Sequence, residues 1–418
     1  MRALHVAALA ASLTACGARL TAPPPIFPLK TAWSAALDGL LQSELVSDGQ
    51  AVYVGTKDGR VRAVDPEKGS TLWEVTQPGR LLAGDGFVIV RGEDGSVTRL
   101  ETTSGQARWR TKTEVAGTLP AARAGETVMI VGTGAAALDL ASGRVLWTAD
   151  DAEASAPPTA SGNTLLVGEK DGTLRARAVA SGQTLWTFAT GGELFAPAIV
   201  DRDRVFVGTS RRAFYAVSLD KGQKLWRWKL GADVHHAAAI LGDSVIFGTH
   251  ESILYALSRR NGNMVWRVAL PSRPQSAPLI LGSAVLVACL ETDLAGFDGR
   301  TGRKLGGLKV PATFATGPLV LGTRLFVGLR DKGTLAAVDF STGRPEPSPS
   351  PSIAPSGQPT ASPGAASDPA APPPATPSGV VSSPSPAPSP TPTPTPTPRP
   401  AVKKTSILDA APAASLHS

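Results

Sequence analysis

Val64-Asp65-Pro66-Glu67-Lys68-Gly69-Ser70-Thr71-Leu72-Trp73 decides the fold, because the chain repeats it. Its pattern, Asp-x-x-(Ser/Thr/Lys)-Gly-x-x-Leu-Trp, returns around Gly105…Trp109, Gly143…Trp147, Gly182…Trp186, Gly222…Trp226 and Gly262…Trp266. Two worn copies follow at Gly302-Arg303-Lys304-Leu305-Gly306 and Gly343-Arg344-Pro345. The glycines are 36, 38, 39, 40, 40, 40 and 41 residues apart. A sustained period of this size marks a repeat architecture, in which each unit is one supersecondary element stacked on its neighbours.

Each unit parses into four short strands, A to D, which in the first unit are 40–47, 51–56, 60–65 and 71–76. Valines and aromatics alternating with polar residues predict half-buried strands. Lys57-Asp58-Gly59, Glu93-Asp94-Gly95 and Lys170-Asp171-Gly172 predict two-residue hairpins, with Asp-Gly supplying the positive φ angles. Gly132-Thr133-Gly134 reads as a B–C turn rather than a cofactor loop. Four antiparallel strands per unit of about 40 residues predict an all-β, eight-bladed propeller. The last unit, 316–343, runs into proline where Leu-Trp should follow, while Trp33 stands alone one unit before Trp73. Residues 30–37 are therefore expected to supply the outer strand of blade 8, closing the ring and leaving no open edge inside it. Trp33, Trp73, Trp109, Trp147, Trp186, Trp226 and Trp266 are expected to dock each blade onto the next, since an aromatic at a fixed place in most repeats suits packing better than that many ligand sites.

The ends read differently. In 1–15, Arg2 precedes an apolar run and small residues, the plan of an export signal. Leu13-Thr14-Ala15-Cys16 resembles a bacterial lipobox, which implies lipid attachment at Cys16 and cleavage before it. Gly17, rather than Asp, favours the outer membrane in a two-membrane cell; with one membrane the anchor is on its outer face. Residues 16–29 read as a tether, 30–343 as the propeller and 344–418 as a disordered tail, with 21 of the 37 prolines between 345 and 400. Two cysteines exclude a disulfide scaffold and a cysteine-ligated zinc site, and Cys289 reads as a core residue of a buried strand.

The Asp-x-x-Ser/Thr-Gly-x-x-Leu-Trp phrase resembles the PQQ-type propeller repeat over about 30–343. One branch of that superfamily is the quinone-dependent dehydrogenases, whose resemblance implies a quinone and a calcium ion on the axis. This chain lacks their vicinal cysteine pair and shows no cluster of Asp, Asn and Glu for Ca²⁺ on its inner strands. The other branch is similar in length, lipobox and closing strand: the BamB family of lipoproteins. That resemblance implies a non-enzymatic scaffold, without cofactor or metal, that binds the barrel-assembly subunit at the periplasmic side of the outer membrane. In that family partner contacts lie in loops entering strand A of middle blades. The corresponding stretches here are Asp150-Asp151-Ala152-Glu153-Ala154-Ser155-Ala156-Pro157 and Asp233-Val234-His235-His236-Ala237-Ala238, so Asp233 is the partner-binding candidate. The face carrying the D–A loops and B–C turns is the expected partner surface. Alternatives are an envelope lipoprotein unrelated to barrel assembly and a quinone-dependent dehydrogenase.

Other side chains are weighed on their own chemistry. His235 is expected roughly opposite Thr249 or His250, but His235 and His236 should point to opposite faces of a strand, which argues against a metal pair. The net charge is +7. Arg211-Arg212 and Arg259-Arg260 in turns of neighbouring blades offer basic patches for an acidic partner, against ordinary solvated turn charge. Nucleic acid is not expected after export, and the propeller is expected to be monomeric.

Overall fold

In the computed structural model, residues 27–151 and 153–340 are described. They form 32 strands in eight four-stranded antiparallel sheets, with no helix. Blades 1 to 7 each take four consecutive strands. Blade 8 takes three from the end of the chain and its outer strand, Leu29–Ala36, from the beginning. That strand pairs antiparallel with Thr334–Phe340 in a register running from Leu29↔Phe340 to Ala36↔Thr334, as the orphaned Trp33 predicts. Cys16, the signal segment, most of the tether and the whole of 344–418 lie outside the described residues.

The strands of a blade differ by position, not by one shared alternation. Strand D alternates, as in Thr71–Thr76 and Thr184–Ala189, because one face packs and the other meets water. Strand B does not: Val52–Gly55 is buried at every residue, and Val205–Gly208 likewise. Sandwiched between adjacent blades, it has no polar face to offer, so its sequence becomes a continuous apolar run. Strand A is shorter than expected. The stretch 40–47 contains only Val46–Ser47 as strand, plus a bridge between Leu41 and Thr56. In four blades a proline, Pro157, Pro197, Pro278 or Pro318, stands just before strand A, where it cannot donate to a ladder. The Asp-Gly turns also differ from expectation. Thr56 N–H reaches Arg60 O at 2.9 Å around a three-residue loop, and Gly59 alone has positive φ (84°). A type I turn closed by a left-handed glycine needs no strain at Asp58.

The repeat glycine does more than turn the chain. Each of the seven described copies has φ between 65° and 76°, and each lies beneath the indole of the preceding blade. A Cβ on Gly182 would stand 2.6 Å from the Trp147 ring, and one on Gly69 the same distance from Trp33. The indole N–H then donates to a carbonyl of the same turn: Trp147 to Val179 O at 2.8 Å, Trp186 to Leu219 O at 2.8 Å, Trp266 to Gly299 O at 3.0 Å. Trp33 does the same across the closing seam, to Pro66 O at 3.2 Å.

Blade 7 breaks the pattern. Gly306 occupies its tryptophan position, opposite Gly296. The vacated space is filled from the chain's beginning: the Phe27 ring lies against both glycines, 2.8 Å from where a Gly306 Cβ would stand. It joins a core cluster with Leu29, Leu286, Leu308 and Phe340 that spans blades 7 and 8.

Gly182→Ala should combine a left-handed alanine with an overpacked indole, lowering stability by about 1–3 kcal/mol in denaturant melts. Phe27→Ala should raise amide exchange selectively in blades 7 and 8. Uniform exchange around the ring would contradict a seam that depends on this one ring.

Candidate functional site

Antiparallel order places A–B and C–D turns on one face of the ring, and B–C turns with D–A loops on the other. The D–A loops are long except between blades 1 and 2, where only Gln77-Pro78-Gly79 connects Thr76 to Arg80. This accounts for the 36-residue spacing there, and it leaves a notch of about 470 Å³ bordered by Gln42, Gln77, Arg110 and Lys112. Elsewhere the loops converge on the axis. A funnel of about 460 Å³ is lined from blades 1, 4, 5, 6, 7 and 8, a set that only the axis brings together. Its wall holds Pro157, Pro197, Pro278 and Pro318 with Phe195, His235, His236 and Glu44. Hydrogen bonds between successive blades fix the wall: Ser155 Oγ donates to Leu194 O at 2.7 Å, and Thr159 Oγ1 to Ala198 O at 2.7 Å.

The histidines sit in the loop before strand A of blade 6, which starts only at Ala239. Pleat alternation therefore does not govern them. Both border the funnel, yet they point apart, His235 toward Phe195 of the loop entering blade 5 and His236 toward Pro274 of the loop entering blade 7. The expected proximity to His250 is present, with ring centroids of His235 and His250 4.8 Å apart and Phe195 stacked on His235 at 4.7 Å and 18°. Burial pushes the His235 pKa below the ordinary imidazole value, and His250 adds to this while Asp233 opposes it. Burial also lowers the pKa of His236, whose Nε2 lies 3.1 Å from Pro274 O.

Asp233 is half-buried beside His235, and its carbonyl accepts from His250 N–H at 3.0 Å. Asp151, in the other partner-aligned stretch, is ion-paired to the buried Arg177. The two arginine pairs separate. Arg211 and Arg212 are exposed in a B–C turn. Arg259 and Arg260 lie in a C–D turn on the opposite face, where Arg259 pairs with Asp201 and Asp243, and Arg260 with Asp243 at 3.4 Å. They form no joint basic patch. Cys289 is fully buried, with its thiol pKa pushed up to about 11 by burial. The funnel itself was missed by motif reading, although prolines recurring at about the repeat period before strand A were its signal.

Because His236 resists protonation in the fold, the unfolded chain binds more protons as pH falls below about 6.5, so this residue removes stability there. The difference in melting temperature between His236→Gln and the unsubstituted protein should therefore shift in the variant's favour between pH 7 and pH 5.

Solved structures share the ring. BamB from Moraxella catarrhalis superposes with a TM-score of 0.64 at 18% identity, over 75% of this chain and 98% of that one. A quinohemoprotein alcohol dehydrogenase from Comamonas testosteroni gives 0.64 at 14% identity, over 76% and 77%. At such identities the likeness is one of fold. Outer membrane protein assembly factor BamB of Burkholderia pseudomallei (strain K96243) is 30% identical over 127 residues, 28% of this chain. The match spans 33% of that relative's length. The family described as "Outer membrane protein assembly factor BamB" (PQQ_2) matches residues 30–147 and 131–346, essentially the whole ring, and the chain belongs to that family.

Proposed function

We propose that the chain is a non-enzymatic scaffold of the cell envelope, lipid-anchored at Cys16, that binds the β-barrel assembly subunit through the face carrying the D–A loops and B–C turns. Family membership supports the assembly role. The observation that carries the binding reading is the axial funnel, where loops from six blades present an apolar wall with few polar groups. Asp233, two residues before His235, is the partner contact proposed there, and the seven tryptophans hold the blades in place from the perimeter.

The funnel's chemistry does not suit the quinone of the dehydrogenases. Pyrroloquinoline quinone is a polycarboxylate, which calls for cationic or N–H donors. The described wall offers Glu44, no lysine or arginine, one serine, two histidines held toward their neutral forms, and prolines whose nitrogens carry no hydrogen.

Affinity capture from detergent-solubilised envelopes of the native cell should recover the barrel-assembly subunit with the full chain. Cys16→Ser should move the chain from the membrane fraction to the soluble one. Capture that repeatedly lacks the assembly subunit would sink the assembly role, and a Cys16→Ser chain still in the membrane fraction would sink the anchor.

A further inference from the structure

The funnel carries one acidic side chain on its wall, and no described residue forms an ion pair with it. Glu44 comes from the loop entering strand A of blade 1, and its Oε2 accepts from Gly317 N–H of blade 8 at 2.7 Å. The carboxylate reaches solvent, yet protein crowds it enough to raise its pKa, burial being the largest cause, with the Gly317 N–H and the more distant Arg80 acting the other way. Arg80 is committed elsewhere, its Nη1 donating to Gln42 O. No lysine or arginine is among the described residues lining the funnel.

The rest of the wall is neutral and flat. Phe195 and His235 stack face to face, and four prolines complete an apolar surround. His235 and His236 are held toward their uncharged forms, so they do not compete as cations near neutral pH. A site of this kind discriminates by charge. An anion meets Glu44. A purely apolar occupant strips water from Glu44 without pairing it, which is costly. A cation on an apolar stem satisfies both parts, its charge on the carboxylate and its stem or plane against the rings. Arginine fits better than lysine, because a planar guanidinium can pair with a carboxylate and stack on an aromatic face together.

We propose that the funnel receives an arginine side chain projected from a loop of a partner protein, with Glu44 as its counter-ion and Phe195 and His235 as the wall beside it. This rests on the scaffold reading, which supplies the protein partner. The cavity of about 460 Å³ has room for one long side chain with its water, not for a folded element.

The test is a titration of the full chain with N-acetyl-arginine amide, followed by NMR at the Gly317 amide and the His235 ring. The neutral isostere N-acetyl-citrulline amide serves as the control. A saturable millimolar response to the arginine compound is expected, at least tenfold weaker with the citrulline compound and in Glu44→Gln. Glutamine keeps an acceptor for Gly317 N–H, so the variant should melt with the unsubstituted protein. An equal response to both compounds, an unchanged response in Glu44→Gln, or no saturable response in the unsubstituted protein overturns the proposal. Envelope capture with Glu44→Gln separates the two readings. Several-fold lower recovery of the assembly subunit supports the arginine site. Full recovery overturns it and leaves the scaffold reading standing. A positive titration with no assembly subunit captured by either protein sinks the assembly role alone.

Discussion

An indole lying on a glycine of the next blade is the contact on which the rest of the ring depends. It needs three things at once: a residue without Cβ, a left-handed turn, and a carbonyl aimed at the indole nitrogen. Gly182 meets the first two and Val179 the third, for the Trp147 ring. Because the turn and the seat are the same residue, the hairpin that finishes one blade also fixes its angle to the one before. Repeated around the axis, that coupling leaves little freedom in how the blades are arranged. The exceptional seam follows the same rule. Where blade 7 has Gly306 in place of tryptophan, the void is not left empty, since empty apolar volume forfeits contacts. Phe27 fills it, so closure relies on the chain's beginning twice, through strand pairing and through this ring.

Regular closure is what makes an irregular centre possible. With the perimeter fixed, loops entering strand A can vary without moving the blades, and their variations meet on the axis. Blade 1 contributes Glu44, blade 5 Phe195, and blade 6 two histidines at the places of Phe195-Ala196 in blade 5 and Gln275-Ser276 in blade 7. The three contributions lie far apart in sequence. The chemistry of the funnel is therefore set by substitutions within a repeat whose backbone stays constant.

Most ion pairs among the described residues lie within a blade, but some tie neighbouring blades together. Arg259 ties a turn of blade 6 to Asp201 of blade 5, and Arg324 of blade 8 reaches Glu67 of blade 1 at 2.8 Å. Arg91 is fully buried and donates to carbonyls of the following loop, at Val115 and Leu119, with its pKa lowered to about 10 by burial. The positive balance of the whole chain thus says little about any one surface. The exposed Arg211 and Arg212 and the buried Arg91 have the same formal charge and opposite roles.

Period, turn glycines and the stranded Trp33 were enough to specify eight blades and their closure, because those features depend on contacts at a fixed sequence separation. The continuous apolar runs of strand B were visible too, but their cause, a neighbour on both faces, belongs to the ring. What the sequence could not place was anything assembled across the axis. Reading His235 and His236 as strand residues set them pointing apart, which holds, but gave no sign that both border a funnel from a loop that ends where strand A begins at Ala239. Arg211-Arg212 and Arg259-Arg260 looked like adjacent patches until the alternation of turns sent them to opposite faces. Glu44 carried no motif at all, and its significance arises only when blade 8 brings Gly317 to it. Local repeat chemistry determines the blade. The meeting of eight blades at one axis, a constraint no single repeat contains, determines the site.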